Sequence, residues 1–119
     1  MTERGYQRLQ DTVERLLRRN ATRNLINILN KVHPADIAYL FKLLNDRSAR
    51  SLFQLLPEVH HAGEILSEMD RRYRNEFLQQ VDIGRFAAIF SQMATDDAAD
   101  FLADLPDELR ARILELMPG

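Results

Sequence analysis

One apolar triplet constrains this chain more than any other feature: two adjacent large residues and a third three positions on, recurring every 12 or 13 residues. It reads Ile28-Leu29 with Val32, Leu40-Phe41 with Leu44, Leu52-Phe53 with Leu56, and Ile65-Leu66 with Met69. It continues as Phe77-Leu78 with Val81, Ile89-Phe90 with Met93, Phe101-Leu102 with Leu105, and Ile113-Leu114 with Met117. Self-similarity at a short fixed period marks units that bury their apolar faces only by stacking on one another. Offsets of i, i+1 and i+4 set the three side chains on one side of a helix of about 3.6 residues per turn.

Between the triplets lie residues that start helices: His33-Pro34, Asn45-Asp46, Pro57-Glu58, Asp70, Asp82, Thr95-Asp96 and Pro106-Asp107. Proline suits the first turn, where its missing N–H is no loss. Asp, Asn and Thr accept hydrogen bonds from the free N–H groups there. The spacing therefore predicts an all-α chain of short helices, about eight or nine residues each, joined by tight turns. Such helices are marginal alone, so they must stack, and a compact superhelix follows. Tyr6 to Arg19 reads as a longer, more polar capping helix. A bundle of three or four long helices is the rival arrangement, and the regularly spaced prolines argue against it.

At 119 residues the whole chain, 1–119, fits one helical repeat domain. It contains no cysteine, which excludes a disulfide framework and a thiolate metal site. No apolar run approaches the roughly 20 residues of a membrane-spanning helix, and the N-terminus has no signal-peptide core. Glycine-rich phosphate loops and nucleophile motifs are absent too, so the chain reads as non-enzymatic. His60 and His61 are adjacent, not an i, i+4 pair, and make a poor zinc site, while His33 before Pro34 reads as a turn organiser.

The formal charge of −2 conceals a gradient. Residues 1–24 carry six Arg against Glu3, Asp11 and Glu14, and residues 25–93 balance. Residues 94–119 carry seven acids against Arg110 and Arg112. Arg4, Arg8, Arg15 and Arg19 are rough helical neighbours without interleaved aromatics, which weakens a nucleic-acid reading. An anionic membrane surface or the acidic face of another copy would suit them, although the first reading is a solvated face, as for Arg71-Arg72-Tyr73-Arg74.

At the acidic end, Asp96, Asp100 and Asp104 form an i, i+4, i+8 row on the helix expected from Thr95, apart from the side carrying Phe101, Leu102 and Leu105. Like charges at that spacing repel. The helix dipole favours Asp96 and Asp97 but opposes Asp104 at the far end. A hard divalent cation would relieve the repulsion; a solvated face is the plainer reading. Asp36 reads as a structural first-turn acid.

Several phrases resemble the N-terminal cytosolic domain of the MgtE family of magnesium transporters. Val32-His33-Pro34-Ala35-Asp36-Ile37-Ala38 with Leu40 is similar to the family's "HPADIA-x-L", and Asp96-Asp97-Ala98-Ala99-Asp100-Phe101-Leu102 to its "DDAADLL". Ala62-Gly63-Glu64-Ile65-Leu66 and Leu105-Pro106-Asp107-Glu108 also fit the pattern, so the resemblance covers roughly residues 10–117. It implies a regulatory domain on the cytoplasmic side of the inner membrane, followed by CBS domains and joined to a homodimeric pore. Magnesium held between this domain and the CBS domains would favour the closed state. Glu64, Asp96 and Asp100 match positions that serve magnesium in the family, each site here being half built and weak. CBS domains of the same polypeptide or dimer are the implied partners, without nucleic acid and without membrane insertion. Residues 1–119 hold no CBS or transmembrane segment, so the chain reads either as a fragment of such a transporter or as a stand-alone module. A protein-binding helical scaffold without metal, resembling modules of the flagellar motor switch, is the alternative.

Overall fold

The computed structural model describes residues 1–117, and among them every regular element is helical. In chain order these are α1 (Glu3–Arg18), α2 (Thr22–Lys31), α3 (Pro34–Leu43), α4 (Asp46–Phe53), a 3-10 turn (Leu56–Glu58), α5 (Ala62–Glu68), α6 (Arg71–Gln80), α7 (Gly84–Gln92), α8 (Thr95–Ala103) and α9 (Asp107–Leu116). Pro118 and Gly119, the end of the expected 1–119 unit, lie outside the described residues. No described helix is long and apolar enough to cross a membrane.

The eight triplets fall on α2 to α9, one to each. Their third members, however, do not continue the helical face. Val32, Leu44, Met69, Val81, Met93 and Met117 are C-cap residues with φ between −102° and −69° and ψ between 136° and 168°. Each ends its helix by turning the chain extended. At four junctions this extended apolar residue and one N-cap residue form the whole connection: Val32-His33, Leu44-Asn45, Met69-Asp70 and Met93-Ala94. A period near 12 is thus a helix of seven to ten residues plus a short apolar-then-capping linker.

Three caps follow the sequence reading, while Asp82 stands one residue ahead of the N-cap Ile83, Pro106 is itself an N-cap, and Pro57-Glu58 lies in a 3-10 turn. His33 Nδ1 accepts from the Ala35 N–H (3.1 Å), Asn45 Oδ1 from the Ser48 N–H (2.8 Å), and Asp70 Oδ2 from the Tyr73 N–H (3.0 Å). Thr95 and Asp96 do not cap: the N-cap of α8 is Ala94, and both lie inside its first turn. The N-terminal helix starts earlier than Tyr6, because Thr2 Oγ1 accepts from the Gly5 N–H (3.0 Å) and caps a helix beginning at Glu3. It ends where Asn20 takes φ 54°. There the Ala21 N–H reaches the Leu16 carbonyl (3.0 Å) and the Asn20 N–H that of Leu17 (3.1 Å), a Schellman closure.

Stacking runs along the odd-numbered helices: α1 on α3, α3 on α5, α5 on α7, α7 on α9. Among the described residues, all eight hydrogen bonds that involve a side chain and a distant partner join residues 29 to 33 apart. A long-helix bundle would scatter these separations; one constant separation is the pitch of a superhelix, here about two and a half repeats. The result measures 40 × 26 × 23 Å.

The centre of the core is aromatic. Phe53 lies 4.7 Å from Phe41, 4.9 Å from Phe77 in a nearly parallel stack, and 5.9 Å edge-on from Phe86, centroid to centroid. Leu114 departs from the pattern, being 53 % exposed although it belongs to the last triplet. Tyr73 closes the cluster against Phe77 and donates from its hydroxyl to the Phe41 carbonyl (2.8 Å). Burial, and next the negative Asp46, push its phenol up from the ordinary 10.0 to about 12.

The fold therefore favours the neutral phenol. That contribution is complete below pH 10 and disappears as pH rises through about 12. Urea midpoints taken at about pH 9 and about pH 11 are expected to differ less in Tyr73→Phe than in the parent chain; an equal drop in both would dissociate Tyr73 from the alkaline transition.

Candidate metal-binding face

The repeat slips by one residue between Leu52 and Ile65, and the structure puts a cleft at that slip. The 3-10 turn and the loop after it absorb the extra residue, and Pro57, Val59, His60 and His61 form one wall of a cleft of about 670 Å³. Its other walls come from His33 and Pro34, from Ala62, Gly63, Glu64 and Glu68 on α5, and from Met93, Ala94 and Asp97 at the junction of α7 and α8. Gly63 allows that junction to approach: a Cβ there would stand 2.8 Å from Met93 Cγ. The glycine of the Ala62-Gly63-Glu64 phrase thus serves helix approach and not an unusual backbone angle.

Glu64 lies in the first turn of α5 and opens to solvent in this cleft, facing it together with Asp97. Asp100 and Asp97 line an adjoining smaller cleft of about 230 Å³ with Ser67, Arg74, Phe101 and Asp104. Asp96 is exposed in the first turn of α8 and lines neither cleft. Of the three acids singled out from the sequence, then, none shares a cleft with another, and Asp97 is the one that links the two. The sequence reading passed over Glu68 and took Asp97 only as a first-turn acid, because helical angles describe one helix and say nothing of where the next begins.

Among the described residues, no side chain of this domain hydrogen-bonds or ion-pairs with Glu64, Asp96, Asp97 or Asp100. Asp104 differs. It is the C-cap of α8, pairs with Arg71 (3.4 Å) and accepts from Asn75 Nδ2 through its carbonyl (3.3 Å). Arg71 supplies the counter-charge that the dipole argument lacked, and Asp104 leaves the row of free acids.

Behind the smaller cleft sits Arg74, 4 % exposed, with its guanidinium 4.3 Å above the Phe101 ring. Nη1 donates to the Leu66 carbonyl (3.5 Å) and Nε to Asn75 Oδ1 (3.2 Å), while Nη2 is buried without a partner. Burial pushes its pKa down, and Asp104 offsets part of that. The Arg71-Arg72-Tyr73-Arg74 run is therefore no uniform solvated face: Arg72 pairs with Glu76 (3.7 Å), Arg71 with Asp104, and Tyr73 and Arg74 turn inward. Arg74 precedes Phe77 by three residues, a spacing that already shares the buried side of a helix.

The histidines have local work. His33 caps α3, the His60 N–H donates to Asn30 Oδ1 (2.9 Å), and the His61 ring bonds the Leu29 carbonyl through Nε2 (2.6 Å). His60 and His61 lie in the turn before α5 and not on a helix. Asp36 is structural, accepting from the Tyr6 hydroxyl (2.6 Å) and holding α1 to α3; that bond is the main cause raising the Tyr6 pKa.

Among the described residues no group of three or more His, Asp and Glu side chains converges tightly enough to enclose a metal ion. What the face offers is separate, exposed carboxylates. Magnesium keeps several of its waters and takes one or two carboxylates directly, so such a face fits a partial shell shared with a facing surface.

The described residues form an all-α domain of short stacked helices with exposed acids on α5 and α8. A family model, MgtE intracellular N domain, matches residues 32–119. The chain belongs to this family, whose members are cytosolic domains of magnesium transporters. No curated protein matches the chain.

Proposed function

We propose that this domain senses cytosolic magnesium for a transporter, through Glu64 on α5 and Asp96 and Asp100 on α8, with Asp97 between them. The observation that carries this reading is the set of exposed carboxylates from two helices left without any counter-ion, beside an Asp104 that has one. In the absence of divalent ions these carboxylates repel an acidic surface opposite. Magnesium bound between the two would supply the positive charge that lets them approach. The half-shell on this side needs the rest from a partner, for which CBS domains of the same polypeptide or dimer are proposed. Coupling follows because the ion binds the docked arrangement better than the separated one.

The test is the magnesium dependence of transport in the full-length protein carrying this domain. Glu64→Ala with Asp96→Ala is expected to raise the half-inhibiting cytosolic magnesium at least about fivefold, the lower end of ordinary coupling between sites. An inhibition curve superimposable on the parent's would reject the assignment and leave a metal-free interaction scaffold as the better account.

A further inference from the structure

A second charged surface lies on α1, ahead of the matched residues 32–119, so the family model does not account for it. At about 100° per residue, Arg4, Arg8, Arg15, Arg18 and Arg19 fall within an arc of about 100°, interrupted only by Asp11. On the opposite side Val13 is buried and Leu9, Leu16 and Leu17 pack against the core. The stripe therefore points directly away from the domain and runs about 22 Å along the helix. All five arginines are exposed, and among the described residues none has an ion pair. Arg23, at the start of α2, is exposed as well.

Helix physics explains half of this. The dipole favours Arg15 and Arg18 in the last turn, but it disfavours Arg4 in the first. Arg4 with Arg8 and Arg15 with Arg19 are like charges at i, i+4, which repel. Such an arrangement gains from an external array of negative charge. The stripe contains no aromatic on which a base could stack; Tyr6 lies on the far side with its hydroxyl on Asp36. Nor does it contain an apolar residue that would insert into a bilayer.

We infer that this stripe docks the domain on an anionic phospholipid surface. A row of exposed arginines along one side of a helix suits a surface of phosphates, which arginine binds in bidentate fashion. Family membership makes the domain the cytosolic part of a membrane transporter, so an anionic leaflet is a surface it can meet. The stacking order of the odd-numbered helices separates α1 from the acidic α8 and α9 along a 40 Å molecule. With screening over about 8 Å at physiological salt, those acids do not oppose the contact. The acidic end of a second copy is a poorer occupant, because a head-to-tail contact between unlike surfaces leaves one end of each pair open and closes only where the rotation permits a ring.

The experiment is co-sedimentation of the 119-residue chain with phosphatidylcholine vesicles made with and without phosphatidylglycerol, at low and high sodium chloride and without divalent ions. Binding is expected only to the phosphatidylglycerol vesicles and is lost at high salt. Each arginine removed is expected to weaken it about fivefold, so Arg8→Gln with Arg15→Gln lowers it about 25-fold. Both positions are exposed, and circular dichroism checks that the variant keeps its helices. Absence of vesicle binding at low salt, equal binding to both vesicle types, or a variant that binds like the parent would each overturn the inference. So would self-association, or binding to nucleic acid, that the double variant abolishes while vesicles go unbound.

Discussion

Phe53→Ala is expected to lower the stability of the chain by about 3–5 kcal/mol, a large part of the 5–15 kcal/mol that holds a typical domain together. Phe53 is fully buried, and its ring touches three others contributed by α3, α6 and α7. Its removal deletes a side chain around which those helices meet, and short linkers limit how far the helices can collapse inward. Leu114→Ala supplies the comparison. Leu114 holds the same second place in its triplet but is 53 % exposed, so its loss should stay within about 0.5 kcal/mol. Urea unfolding followed by circular dichroism measures both. Similar losses for the two would mean that the repeat, and not burial, sets the energetics, contrary to the packing described above.

Phe101→Ala is expected to release α8 while the rest of the domain stays folded. Phe101 is the only fully buried residue of that helix; it packs 5.1 Å from Phe90 and lies beneath the Arg74 guanidinium. Truncation removes about 3–5 kcal/mol of packing from a nine-residue helix whose other contacts are partial. It also strips Arg74 of its aromatic floor, worth about 0.5–2 kcal/mol. Short helices need tertiary packing to persist, so α8 should fray first. Hydrogen exchange reads this directly: amides of α8 should lose protection while those of α3 and α5 keep it. Uniform loss along the chain, or unchanged protection in α8, would show that the acidic helix is not held by this one ring. The consequence for function is that Asp96, Asp97 and Asp100 lose their fixed relation to Glu64.

The fold was legible because the repeat is written twice, in the apolar pairs and in the caps. Leu40-Phe41, Leu52-Phe53 and Ile65-Leu66 are fully buried where the period puts them, and His33, Asn45 and Asp70 start the helices they precede. The third residue of six triplets was misassigned to the helical face, since an i+4 position and an extended C-cap leave the same apolar mark in a sequence. Leu114 shows the converse limit: it holds the second place of its triplet, yet it is exposed. The acidic face was legible as charge but not as geometry. Helical angles separate Asp96 and Asp100 from Phe101 correctly, yet only the packing of α5 against α7 brings Asp97 to the cleft of Glu64. Asp104 and Arg74 were misjudged for the same reason: their partners, Arg71 and Phe101, stand 33 and 27 positions away in sequence.

The central claim is that the carboxylates on α5 and α8 are an open half-site for magnesium, and a titration of the chain followed by backbone amide shifts in NMR tests it most directly, with calcium as the control ion. The account predicts weak, saturable shifts in the millimolar range confined to residues around Glu64, Asp96, Asp97 and Asp100, and absent in Glu64→Ala with Asp96→Ala. Shifts spread evenly over all exposed acids, including Asp107 and Glu108, or no shifts at all, would contradict it.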